Sequence, residues 1–226
     1  MKAFVIMFAL LSALMPVITQ KTGLSVRYGF RIKMLCAFMY TATGLIAALA
    51  VGKAAPYSLL ILGALVLGVL GDFFLEYKAK KLFPVGALFF ALGHIVYSLT
   101  FLFEGEINAS SYIAAVVAVT AAVTLLIIAF AKAKLKLTGK KKLILAYVPV
   151  LVFAFVCALF KGIAAIKAGN FSLGACLIFG GTLFLVSDAM IGIGKGGLQR
   201  PAFLHNAVTY TYFAAQSLFA LSIYFQ

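Results

Sequence analysis

The chain is 226 residues long, 65% of them hydrophobic, with a mean hydropathy of +1.16 and a formal net charge of +14. Ordinary soluble domains are only about 45–50% apolar, so this composition excludes a water-soluble globule. With charges as punctuation, apolar stretches fall at 3–20, 34–51, 57–77, 83–103, 111–131, 143–160, 171–193 and 202–225. Each is near the ~20 residues that cross a bilayer core. The expected fold is all-α, a polytopic transmembrane helical bundle of about eight spans. No long linker or low-complexity tract divides it, so residues 1–226 are expected to form a single integral membrane domain.

The first stretch follows Lys2, as a secretory signal would. Its apolar run exceeds the ~7–15 residues of such signals and no small-x-small site follows, so a retained helix is expected. Loops after the odd-numbered spans hold fifteen Lys and Arg and the opposite face four, which orients those loops toward the cytoplasm. Six of the fifteen lie between Lys132 and Lys142, where orientation and anionic headgroups already call for cations. With no aromatic-interleaved soluble domain beside them, no nucleic-acid partner is expected. Cys36, Cys157 and Cys176 fall inside spans without paired spacing and are read as packing residues.

The third span ends LGVLGDFFL and the seventh LFLVSDAMI, with Asp72 and Asp188 separated by 116 residues. That interval holds four spans, so both helices run in one direction, as in a parallel four-plus-four repeat. A carboxylate inside a membrane helix costs about 2.5–3.5 kcal/mol on insertion scales and therefore needs a partner or a function. In the third span Ala64, Gly68 and Asp72 share a face, and the small residues are expected to admit a neighbouring backbone. Glu76, Glu104 and Glu106 are read as interfacial.

At about 1.5 Å per residue, Asp72 lies roughly 9 Å before Lys78, Asp188 roughly 10 Å before Lys195, and His205 roughly 8 Å after Arg200. His94 and Tyr212 lie deeper, about 20 and 18 Å from Lys81 and Arg200. A cavity opening to the cytoplasmic side would collect them all. Along the last span His205, Thr209, Tyr212 and Gln216 follow at intervals of four, three and four, a single polar stripe. His94, Tyr97 and Ser98 share a face of the fourth span. Intramembrane Ser, Thr and Tyr often serve only as interhelical hydrogen bonds, and that reading stands equally for Thr209, Tyr97 and Ser98.

GDFFL followed by FFALGHIVY, then LFLVSD followed by TYTYFAAQ, resembles the YhhN family of integral membrane proteins, the lysoplasmalogenase-like group. The resemblance runs from about Lys33 to Gln216 and marks Gly71, Asp72, His94, Tyr97, Ser187, Asp188, Tyr212 and Gln216. Lys33 matches the lysine that opens the second span in the family, although Met34 stands where a proline usually follows. The resemblance implies a bacterial plasma-membrane hydrolase that cleaves the vinyl-ether bond of lysoplasmalogen to a fatty aldehyde and a glycerophospho-head group.

Vinyl ethers hydrolyse by protonation of the β-carbon to an oxocarbenium ion, which water captures. Two carboxyl groups suffice, one protonated and one ionised, much as in glycosidases. The sequence does not decide between the aspartates. Glycine and phenylalanine around Asp72 favour it as the acid, with Asp188 beside Ser187 ionised. His94 and Tyr212 complete the expected catalytic set, and Lys33, Tyr97, Ser187, His205, Thr209 and Gln216 the substrate-binding set. Lys33, with Arg31 nearby, is expected to meet the phosphate at headgroup level. The expected partners are a lysophospholipid substrate and membrane lipids. No cofactor or metal is expected, since two histidines cannot complete a tri-histidine set.

A carrier or channel for a small polar or lipid solute is the alternative, because transporters also combine repeats with midplane polar residues. Against it, the outer halves of the spans offer few acids or bases to continue a path. A purely structural role leaves two buried acids unexplained.

The cation asymmetry predicts that reporters fused after Gln226 lie outside and that tags in loop 132–142 are cytoplasmic. Accessibility labelling of intact cells checks both, and a cytoplasmic C-terminus would contradict the assignment.

Overall fold

A computed structural model describes residues 2–52, 55–76, 82–103, 109–134, 138–196 and 204–226. Glu104, Glu106, Lys78, Lys80, Lys81 and Arg200 lie outside the described residues, as does the side chain of His205. The described chain is all helical: α1 (Lys2–Lys21), α2 (Leu24–Val51), α3 (Pro56–Glu76), α4 (Phe83–Phe103), α5 (Ala109–Lys132), α6 (Gly139–Lys167), α7 (Phe171–Gly196) and α8 (Leu204–Phe225).

The largest departure from the expected spans is at α2, which begins ten residues before position 34. Arg27, Arg31 and Lys33 read as a loop because they are charged, yet they lie on helix. Only Thr22 and Gly23 separate α1 from α2, Gly23 taking the left-handed φ of 76° that lets the chain reverse. A break at Gly29 then redirects α2 before its apolar part. Lys33 is thereby one helical residue among others, seven positions before Tyr40 and on the same face.

Seven helices, α1 to α7, are long and apolar enough to cross a membrane. The eighth is long enough but carries the polar stripe, which lowers its hydropathy. It is buried along much of its length between Tyr212 and Ile223, so lipid does not meet the polar atoms. Tyr212 meets Asp72 near the end of α3, and Ser222 meets Tyr57 near its start. The two helices therefore run antiparallel through the depth of the bundle. At the far end Asn170 caps α7 by accepting from Leu173 N and donates to Phe225 O at 2.6 Å, tying the two helix ends together.

The packing follows the expected four-plus-four order. Shifting by four helices turns the pairs α1 with α2, α2 with α3, α3 with α4 and α4 with α6 into α5 with α6, α6 with α7, α7 with α8 and α8 with α2, and every one of these pairs is in contact. The α1 and α8 pair and the smaller α3 and α8 contact have no counterpart of similar extent among the described residues. Close approach of α6 and α7 is made by glycine: a Cβ on Gly174 would lie 2.6 Å from the backbone oxygen of Gly162.

Candidate functional site

Asp72 and Asp188 are both buried, at 2% and 9% exposure, and the repeat supplies each with the same pair of neighbouring helices. Asp72 on α3 is met from α2 and α8. Asp188 on α7 is met from α6 and α4, the corresponding pair. The side chains that do the meeting differ, and that difference sets the chemistry.

Around Asp72 every contact is a donor. Tyr212 Oη donates to Oδ2 at 2.7 Å, Tyr40 Oη approaches the same oxygen at 3.5 Å, and Lys33 Nζ lies 3.4 Å from Oδ1. Lys33 also reaches Glu76 Oε2 at 3.2 Å, so one ammonium joins two carboxylates a helical turn apart. Glu76 is thus a member of the cluster rather than only an interfacial acid. Behind Tyr212 the chain of bonds continues inward: Gln216 Nε2 donates to Tyr212 Oη at 3.1 Å and Tyr97 Oη to Gln216 Oε1 at 2.7 Å. This fully donated arrangement suits an ionised carboxylate.

Gly68 makes room for this chain. A Cβ there would stand 2.5 Å from Gln216 Nε2 and 3.1 Å from Tyr40 Oη. The small-residue face of α3 was expected to admit a backbone, and at Gly68 it admits polar side chains instead. Gly71 likewise receives the ring of Phe90, whose atoms would be 2.8 Å from a Cβ.

Asp188 has a sparser environment. Tyr147 Oη donates to its Oδ2, and His94 Nε2 lies 3.9 Å from that oxygen, beyond hydrogen-bond reach. His94 Nδ1 is 2.7 Å from the carbonyl oxygen of Phe90, which can only accept, so Nδ1 carries the proton and Nε2 offers a lone pair. That buried Nε2 has no hydrogen-bond partner among the described residues. An apolar crevice of about 50 Å³ opens beside Asp188, walled by Leu75, Phe83, Phe90, Leu143, Ile144 and Ile191 among others.

A second cavity, about 240 Å³ and mixed in polarity, lies between α1, α2, α3 and α8. Lys33, Glu76, Thr209, Asn206 and Gln20 face it. Phe90 and Phe184 meet Tyr212 edge-on at 5.7 and 5.5 Å between centroids, and Phe184 meets His94 at 4.6 Å.

Of the residues expected at the site, Asp72, Lys33, Tyr212, Gln216 and Tyr97 form one bonded chain, Thr209 lines the polar cavity beside it, and Asp188 pairs spatially with His94. Ser187 stands apart, for its hydroxyl is fully buried and donates to Val208 O of α8 at 3.0 Å. Its contact is helix to helix. Ser98 similarly donates to its own helix at His94 O. Tyr40 and Tyr147 are site residues that the sequence reading missed. Tyr40 could have been found from its seven-residue spacing to Lys33 had α2 been extended, whereas Tyr147 is a lone tyrosine with no neighbouring signal. Among the described residues, no three His, Cys, Asp or Glu side chains converge as a metal-ligand set.

The ion pair makes a prediction about stability. Lys33→Met leaves the Asp72 carboxylate without its cation, a loss of up to the ~3–5 kcal/mol typical of breaking a buried pair, reduced by the partial exposure of Lys33. Lys33→Met with Asp72→Asn should recover most of it. Thermal unfolding in detergent gives the comparison, and additive losses in the double variant would show that the pair is not coupled.

No curated protein and no solved structure was found to match the chain. A model of the YhhN family does match, over residues 26–223. That stretch runs from the first turn of α2 to near the end of α8 and holds every residue of both carboxyl environments, and the chain belongs to the YhhN family.

Proposed function

We propose that this protein is a membrane hydrolase that cleaves the vinyl-ether bond of lysoplasmalogen. The family includes lysoplasmalogenase-like proteins, which supports the reading at the level of the family. The observation that carries it further is the contrast between the two carboxyl groups. Asp72 is surrounded by an ammonium and two phenols, whereas Asp188 faces apolar walls, one phenol and a neutral imidazole. Acid and base roles are divided in this way when the surroundings of two carboxyls push them toward different charge states.

Asp188 is then the acid and Asp72 the ionised partner, the reverse of the assignment suggested by the residues flanking Asp72 in the sequence. Flanking residues in a helix point to other faces and do not surround the carboxyl. The substrate has an apolar chain and a polar head with the scissile bond at their junction. The apolar crevice at Asp188 suits the first carbons of the chain, and the mixed cavity beside Lys33 suits the head. Asp188 gives its proton to the β-carbon, and the double-bond electrons form that C–H bond. The resulting oxocarbenium ion is stabilised by the Asp72 charge. Water adds to the α-carbon and loses a proton, which His94 Nε2 is oriented to accept. The hemiacetal then breaks its carbon–oxygen bond to the glycerol, whose oxygen takes the proton held by His94, while the hemiacetal hydroxyl returns its proton to Asp188 and aldehyde is released. Tyr212, held by Gln216 and Tyr97, positions Asp72.

Purified protein incubated with lysoplasmalogen and its saturated-ether and ester analogues should release aldehyde from the first alone. In D₂O one deuterium should appear on the carbon next to the aldehyde, analysed before enolisation exchanges it, because protonation at carbon is the hard step. Asp72→Asn and Asp188→Asn should each lower turnover by orders of magnitude without loss of fold. Activity should also survive exhaustive chelation. Aldehyde free of solvent label, or near-normal turnover in either variant, would overturn the mechanism.

A further inference from the structure

One ammonium at the polar cavity serves two carboxyls, of which Glu76 lines the cavity and Asp72 is buried behind it. Lys33 is shared between Asp72 and Glu76, so the three groups together hold one negative charge in excess when the carboxyls are ionised. Asp72 is buried and bonded on both oxygens. Glu76 is 41% exposed, faces the cavity and has Lys33 as its one ionic partner among the described residues. Among the described residues no other charged side chain lines the cavity, and the Asn206 amide and the Thr209 hydroxyl also face it. A cavity with one ammonium shared between two carboxyls, one exposed carboxylate, and two neutral groups able to donate is complementary to a ligand bearing both an anion and a cation.

We infer that Glu76 is a specificity-determining residue that holds the ammonium of a zwitterionic phospholipid head group, while Lys33, Asn206 and Thr209 take its phosphate. This rests on the proposed lysolipid substrate and adds the group that reads its head. The vertical order fits. Glu76 lies one helical turn beyond Asp72, about 6 Å farther out at the rise of an α-helix. An ammonium at Glu76 therefore places the glycerol backbone between the head group and the carboxyl. An anionic head group without an amine would meet Lys33, Asn206 and Thr209 through the same phosphate but would leave the Glu76 carboxylate facing it without a cation.

The test uses the full-length protein in mixed micelles with non-cleavable saturated-ether lysolipids, so binding is read whether or not vinyl ethers are cleaved. The parent protein should bind the phosphoethanolamine form at least tenfold tighter than the phosphoglycerol form. Glu76→Gln should bring that ratio close to one, chiefly by weakening the first, and Glu76→Asp should keep part of it. A preference that persists unchanged in Glu76→Gln, or a parent protein with no preference, would overturn the inference, as would absence of binding to either lipid. Loss of the preference alone leaves aldehyde release standing, and preference without aldehyde release sinks only the hydrolase reading.

Discussion

A carboxylate that cannot be left alone in a membrane organises this protein. Asp72 is buried at 2% exposure, and its two oxygens are met by Lys33 and Tyr40 from α2 and by Tyr212 from α8. Those contacts force three helices to converge at one depth. They also explain why α8 is polar, because Tyr212 needs Gln216 behind it and Gln216 needs Tyr97 on α4. The Gly68 position on α3 is empty of side chain for the same reason. Removing any one of these partners leaves a buried polar group uncompensated, which costs more than the net worth of the bond it made.

The repeat turns one such arrangement into two. Corresponding helices surround Asp72 and Asp188, so the scaffold buries two carboxyls in matching positions without either helix bearing both. What differs is the decoration. One copy presents Lys33, Tyr40 and Tyr212, and the other Tyr147 and His94, opening on an apolar crevice. A symmetric scaffold with asymmetric side chains gives two buried carboxyls different surroundings.

Much of this was legible in the sequence because the membrane makes polar residues conspicuous. Asp72, Asp188, His94 and the stripe from Thr209 to Gln216 stand out against apolar surroundings, and helical spacing alone aligns Tyr212 with Gln216. The 116-residue separation of the aspartates already pointed to the helix order seen in the packing. What escaped had physical causes. Charges at Arg27, Arg31 and Lys33 concealed the first turns of α2, and with them the register that brings Tyr40 to Asp72. Tyrosine is common in apolar spans, so Tyr147 gave no signal until its partner was known. The hydroxyl of Ser187 adjoins Asp188 in sequence but points to another helix, a matter of side-chain direction that adjacency does not convey.

In the proposed mechanism the two carboxyl groups differ in protonation. Infrared spectroscopy of the protein in lipid bilayers reads this directly, since only a protonated carboxyl shows the carbonyl stretch of a carboxylic acid, shifted by exchange into D₂O. At neutral pH such a band should be present in the parent protein, persist in Asp72→Asn and vanish in Asp188→Asn. A band lost with Asp72 instead, or no protonated carboxyl at all, would contradict the account.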